Sequence, residues 1–185
     1  MQREDLQALF AVASPTSRLA FGIAAYAGLR ASEVRGLRWS DIEFGTNTLV
    51  VRRGICHGIE SSPKSHHQRI VPLAAPLQAV LEAVKRRKKK SPWSPVSLTM
   101  YGKPWSDTGL NQAFERAQAR ANLSGWSFHS LRHFFVTELF RRGASAPVVQ
   151  QLAGHADLTT TQRYADMGAN DLRAAIALFG SEAPR

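Results

Sequence analysis

The chain has 185 residues, with 24 Lys or Arg against 14 Asp or Glu, for a formal net charge of +10 at pH 7. One domain or two small ones fit that length, and a hydrophobic content of 44% is enough for a packed core, which excludes intrinsic disorder. The basic excess speaks for a polyanionic partner, and the single cysteine, Cys56, excludes an intrachain disulfide and a four-cysteine zinc site.

In chain order, "REDLQALFAVAS" places Leu6, Leu9, Phe10 and Ala13 at helical spacing. Pro15 and Ser17 punctuate, and "RLAFGIAAYAGL" reads as a buried second helix, too short to span a bilayer. Ser32 is the expected cap of a short third helix through "EVRGL". The pattern then changes: "TLVVRRG" and "QRIVPL" are short and rich in β-branched residues, so they read as strands, with turns and one further strand between them. Leu77, Val80, Leu81 and Val84 mark an amphipathic helix that runs into the basic cluster Lys85–Lys90, read as a solvated helix end. "SPWSPVSLTMYGKPWS" is loop. Helices resume at "DTGLNQAFERAQARANL", "HSLRHFFVTELFRRG", "APVVQQLAG", "TTTQRYADM" and "NDLRAAIALFG". The expected fold class is therefore mainly α with a small antiparallel β-sheet (α+β) of about three strands early in the chain. Cys56 reads as a partly buried small side chain in a reducing compartment. Arg3, Glu4 and Asp5 stand where a signal peptide has its apolar core, so a cytoplasmic, nucleoid-associated protein is expected, with no membrane partner.

Four segments carry the chemistry. "AGLRASEVRGLRWSDI" holds Arg30 in the bend between two helices, and "SSPKSHHQRIVPL" holds Lys64 just before a strand. "HSLRHFF" holds His129 and Arg132, and "LAGHADLTTTQRYA" holds His155 and Tyr164. In order and in local spacing this set resembles the tyrosine recombinases, the phage integrase family. Arg30 matches that family's "GLRxSE", and Lys64 matches its hairpin lysine with Ser65 in place of threonine. "HSLR" matches "HxLR", and the histidine-to-tyrosine spacing of "LGH…TTxxYA" is kept with alanine at position 153. The resemblance covers nearly the whole chain and implies a single catalytic domain over 1–185, with the family's N-terminal core-binding DNA-clamping domain absent from it.

The residue types suit one reaction. Cleaving a phosphodiester without a metal needs a nucleophile, an acid for the leaving oxygen and positive charge around the phosphorane. A phenol with a pKa of about 10 is a weak nucleophile until its proton is removed or its anion stabilised. Arginine forks pair bidentately with phosphate oxygens, so Arg30 and Arg132 can hold a phosphate from two sides. His129 and Arg132, three apart on a helix, share a face. Lys64 is placed to protonate the leaving 5′ oxygen, with Arg52, Arg53, Arg69, His66 and His67 as competing cations. Glu33 either orients these basic groups or is an exposed acid in the first turn of a helix. His133 reads as a packed helix residue. The histidines lack cysteines or paired carboxylates at ligand spacing, so metal independence is expected, with no cofactor and no small-molecule substrate.

The resemblance implies site-specific DNA recombination or integration, of the kind mobile genetic elements use. Tyr164 would attack a phosphate of double-stranded DNA, leaving a 3′-phosphotyrosyl link and a free 5′-hydroxyl. It also implies self-assembly, as a tetramer, on paired DNA sites. The C-terminal "NDLRAAIALFG", with Leu172, Ile176 and Phe179, would dock on a neighbouring subunit or fold back on its own domain. Two rivals stand beside this reading. One is a non-catalytic helix-turn-helix regulator built on "GASAPVVQQLAGHADLTTTQRY", and the other is a type IB topoisomerase-like enzyme.

Overall fold

The computed structural model describes residues 1–62, 68–87, 91–154 and 176–177. Lys64, His155 and Tyr164 lie outside the described residues, as do the helix expected at "TTTQRYADM" and most of "NDLRAAIALFG". The order is α1 (Arg3–Val12), α2 (Pro15–Ala27), α3 (Ala31–Gly36), a 3-10 turn (Trp39–Asp41), β1 (Ile42–Glu43), β2 (Thr48–Val51), β3 (Gly54–Cys56), β4 (Ile59–Ser61), β5 (Arg69–Pro72), α4 (Ala75–Arg87), α5 (Gly109–Arg120), α6 (His129–Arg141) and α7 (Ala146–Ala153). This is the expected α+β class, with a three-stranded antiparallel sheet ordered β1-β2-β5. The segment between the two foreseen strands holds two more, the antiparallel hairpin β3-β4. Cys56 is exposed rather than partly buried, because it lies at the outer end of β3, whose other end, Gly54, packs on α3.

Helix α2 is the centre of the domain. It starts at Pro15, which costs no donor at the first helical position, and the Ser14 hydroxyl accepts the Ser17 N–H at 3.2 Å. Pro15 therefore opens the helix instead of separating it from α1. Leu19, Ala20, Phe21, Ile23, Ala24, Ala25 and Ala27 are all buried, and the helix packs against α3, α4, α5 and α6. The alanines let neighbouring helices approach, while Phe21 fills the middle. Phe21, Phe114 and Phe128 meet edge to face, with centroids 5.6, 6.0 and 6.4 Å apart. Each such ring contributes roughly 1.5–3 kcal/mol by burial, and each pair about 0.5–1.5 kcal/mol more. This trio fixes α5 and the start of α6 on α2.

In the sheet, Leu49, Val51 and Val71 turn inward while Ile70 is exposed. Arg69 pairs with Val51 in the β2–β5 register and shares that inward face. On α4, Leu77 and Leu81 are buried but Val80 is 40% exposed, so the apolar stripe is narrower than its sequence spacing suggests. Lys85, the first residue of the basic run, is exposed, as a solvated helix end requires, and its ammonium sits over the Phe44 ring at 4.1 Å. Ile176 is buried in the same core, so at that residue the C-terminal segment packs on its own domain. Among the described residues, no helix is long and apolar enough to cross a membrane.

The end of α2 links core and site. Gly28 caps the helix at φ 67° and ψ 22°, the left-handed region that glycine enters without penalty. A Cβ there would lie 2.5 Å from Cδ1 of Phe135 on α6. Gly28→Ala should therefore lower unfolding free energy by roughly 2–5 kcal/mol, from backbone strain plus overpacking. Urea denaturation followed by circular dichroism reads this directly. Adding Phe135→Leu should recover part of the loss; a loss that is unchanged in the double variant would show that the ring contact is not its source.

Candidate active site

Arg30, Glu33, Arg69, His129 and Arg132 come together from α3, β5 and α6. After the left-handed Gly28 and the buried Leu29, the chain turns into α3 with Arg30 as the extended residue just before it. Arg30, not Ser32, is the cap position. The reason lies three residues on: Glu33 Oε2 accepts the Arg30 backbone N–H at 2.8 Å, while Ser32 is already inside the helix.

Glu33 is 2% exposed and accepts four hydrogen bonds. Besides the Arg30 N–H, its Oε1 takes Arg30 Nη1 at 3.0 Å and Arg69 Nη1 at 2.9 Å, and its Oε2 takes Arg69 Nη2 at 2.7 Å. Burial pushes the Glu33 carboxyl up, but the Arg69 fork, the Arg30 amide and the Arg30 guanidinium outweigh it, and the net shift is downward. It is an ionised, saturated carboxylate, which excludes the exposed-acid alternative and matches the orienting one. The two arginines reach further. Arg69 Nε donates to the Leu152 carbonyl at 3.0 Å, and Arg30 Nη2 donates to the Gly154 carbonyl at 2.8 Å. Helix α7 ends there, at left-handed Gly154. Its last carbonyls lack helical partners and carry the negative end of the dipole, so two guanidinium groups bind them favourably.

Arg132 is buried at 3% exposure and donates from Nη1 to the Gly28 carbonyl at 2.6 Å. Its Nη2 is buried without a hydrogen-bond partner among the described residues. Burial, then the charges of Arg30 and Arg69, push its pKa down to about 9, with Glu33 opposing them, so it is still cationic at neutral pH. Three guanidinium groups thus lie near one carboxylate, which is bonded to two of them, Arg30 and Arg69. Leaving a buried charged donor unsatisfied is costly, and an anion is the natural acceptor.

His129 opens α6, one turn before Arg132 and on its side of the helix. Partial burial first, then His133, Arg132 and Arg30, lower its pKa, so the imidazole is neutral at pH 7. His133 is exposed rather than packed, on the outward face of α6, its ring edge-on to His129 at 4.7 Å. Of the cations that compete with Lys64, His66 and His67 lie outside the described residues, and the three arginines are engaged elsewhere. Arg53 binds Asp41, the Gly36 carbonyl and Glu60, Arg52 binds Gln68, and Arg69 is buried on Glu33. The structure thus brings Arg30, His129 and Arg132 together; the positions of Lys64, His155 and Tyr164 fall outside the described residues. Arg69 and the α7 carbonyls are the members that sequence reading missed. The signal for Arg69 was alternation, since it shares the face of Val71 in "QRIVPL".

The description "Phage integrase family" matches residues 1–170 of this chain. Tyrosine recombinase XerC of Pediococcus pentosaceus is 32% identical over 149 residues, covering 74% of this chain and 45% of that protein. The chain spans about half the length of the curated relatives it matches. The Tn1549 transposon integrase, solved in complex with a circular intermediate DNA, superposes with a TM-score of 0.76 at 20% identity, covering 94% of this chain and 63% of that one. A lambda integrase, solved as a tetramer bound to a Holliday junction, gives 0.66 at 20% identity over 88% of this chain and 46% of that one.

The lowered pKa of His129 has a sign that can be tested. The unfolded chain takes up this proton near the ordinary value of 6.5, and the folded protein only at lower pH. Stability is therefore present above that value and declines as pH falls below it. His129→Asn should flatten the fall in melting temperature between pH about 7.5 and about 5.5, measured against the unaltered protein. Parallel curves for the two proteins would remove His129 as the source.

Proposed function

Because this chain belongs to the phage integrase family, we propose that residues 1–185 form the catalytic domain of a site-specific recombinase that cuts and rejoins double-stranded DNA by transesterification. The observation that carries this reading is the buried guanidinium of Arg132, with Nη2 unspent, beside Arg30 in a site of net positive charge. It is chemistry built for a phosphodiester and its more highly charged transition state.

Tyr164 attacks phosphorus, the bond from its phenolic oxygen to phosphorus forms, and the bond to the 5′ oxygen breaks. The product is a 3′-phosphotyrosyl link and a free 5′-hydroxyl. Neutral His129 is able to accept the phenolic proton, and Lys64 supplies one to the leaving oxygen. Arg30 and Arg132 bracket the non-bridging oxygens. His155 follows in sequence Gly154, whose carbonyl Arg30 holds. A second 5′-hydroxyl then reverses the reaction on another strand, and the covalent link conserves the energy, so no cofactor is consumed. DNA is the partner, and strand exchange requires several copies on paired sites, a tetramer in the full reaction. The solved lambda integrase tetramer on a Holliday junction and the DNA-bound Tn1549 integrase support this by likeness of fold.

A helix-turn-helix regulator accounts for the charge but not for α7 being held at its C-terminal end by Arg30 and Arg69. Joining of two different duplexes separates a recombinase from a topoisomerase.

Incubated with a library of duplex DNA, the protein should give a detergent-resistant adduct, and Tyr164→Phe should give none while folding and non-covalent binding stay intact. An undiminished adduct in Tyr164→Phe would exclude Tyr164 as nucleophile. Sequencing the trapped DNA identifies the site.

Lys64→Ala should slow cleavage of ordinary DNA by about 10²–10⁴-fold, the usual worth of a general acid. With sulfur at the bridging 5′ position the leaving group is a thiolate that needs no proton, so the variant should cleave that substrate nearly as fast as the unaltered protein. Equal slowness on both substrates would show that Lys64 is not the acid.

A further inference from the structure

Arg69 belongs neither to the phosphate-bracketing pair nor to the acid. Its side chain is buried, 6% exposed, and Nη1, Nη2 and Nε are committed inward, two to Glu33 and one to the Leu152 carbonyl. The carboxylate it holds is the one that fixes Arg30 through both backbone and guanidinium. The carbonyl it holds lies at the end of α7, two residues before Gly154. Gly154 packs on the same guanidinium: a Cβ there would lie 2.8 Å from Nη1 and 2.9 Å from Cδ of Arg69. In sequence Arg69 comes five residues after Lys64, at the start of β5. One planar group therefore joins the segments that carry Arg30 and Lys64 to the segment that leads into His155.

We propose that Arg69 is a positioning residue for strand transfer: it sets Arg30, and the C-terminal end of α7 at Leu152–Gly154, in register with each other, and touches no substrate. This rests on the recombinase reading above. Two properties of the site favour it over a plain structural brace. Arg69 and Glu33 cancel one another's charge, which leaves the charges of Arg30 and Arg132 for the phosphate, whose transition state gains negative charge. The geometry also needs arginine in particular. Two parallel N–H groups grip the carboxylate while Nε points to the helix end, whereas a lysine ammonium presents its donors from a single atom.

The test uses the full chain and a nicked duplex carrying the sequence recovered from the covalent complex, at a temperature where circular dichroism shows every variant folded. Arg69→Lys keeps the charge but loses the fork. Its rate of adduct formation at saturating DNA should fall by about 10–100-fold, the scale expected when reacting groups are misplaced by about 1 Å, while the half-saturating DNA concentration changes less than about twofold. Gly154→Ala leaves every charge in place and displaces the fork, so it should show the same split, and it keeps the test open if Arg69→Lys fails to fold. The 5′-sulfur substrate should rescue neither variant. A saturating rate equal to that of the unaltered protein, with only the melting temperature lowered, would make Arg69 a brace and overturn the proposal. Rescue of Arg69→Lys by sulfur would make it the acid and overturn it as well. If the unaltered protein forms no adduct, the Tyr164 reaction itself falls, and this role with it; an adduct that is insensitive to both variants refutes Arg69 alone.

Discussion

The site depends on one buried carboxylate. Glu33 has room for about four hydrogen bonds, and all four are taken by Arg30 and Arg69. Were it unpaired at this depth, desolvation would hold it neutral, and the two guanidinium groups would repel each other and Arg132. Paired, it lets three arginines stand within reach of one another while the cluster stays net cationic. A buried ion pair is weak evidence for stability, since well-packed apolar residues of similar size often do as well. Its presence here is better explained by geometry. It fixes the direction of Arg30 and, through Arg69, the end of α7.

The apolar core supplies the other half of that geometry. Arg132 is placed by α6, which the Phe21, Phe114 and Phe128 trio and the Gly28–Phe135 contact hold on α2. Gly28 serves twice: its missing side chain admits Phe135, and its carbonyl anchors Arg132 Nη1. The same residue then turns the chain toward Arg30. Packing of a methyl's width at the end of α2 is thus coupled to the spacing of Arg30 and Arg132. Glu138 shows a similar division of labour at the far end of α6, where Arg3, Arg141 and Arg142 surround it and tie α1 to that helix.

Much of this was legible in the sequence, because the signals were local. The 3.6-residue spacing of Leu6, Leu9 and Ala13 and the β-branched runs at β2 and β5 found the elements that carry the core and sheet. The bend at "AGLR" and the three-residue spacing in "HSLR" found Arg30, His129 and Arg132, which the fold then brings together. What escaped was set by partners distant in the chain. Arg69 looked like a spare cation because nothing local shows that Glu33, 36 positions earlier, and Leu152, 83 positions later, close on it. Ser32 looked like a cap because serine is a good one, yet Glu33 reaches back to the Arg30 amide and fixes the helix start two residues earlier. Val80 fitted the apolar stripe by spacing, but among the described residues its face of α4 is only partly covered.

The distances along the chain carry a last consequence. Arg30 is bound to Gly154 across 124 positions, Arg132 to Gly28 across 104, and Arg69 to Leu152 across 83. None of these contacts can form within a local fragment, and each needs the loop closure that comes with the assembled core. The arginine cluster therefore exists only in the folded domain. Before folding, the same residues are isolated solvated cations, able to attract DNA phosphates without discrimination but not to bracket a single one. A partly folded chain on DNA thus has charge without geometry, and reacting groups that are not held in place work far below the rate of oriented ones. By drawing each member of the site from a different part of the chain, the fold makes the proposed chemistry on a DNA strand contingent on a completed structure.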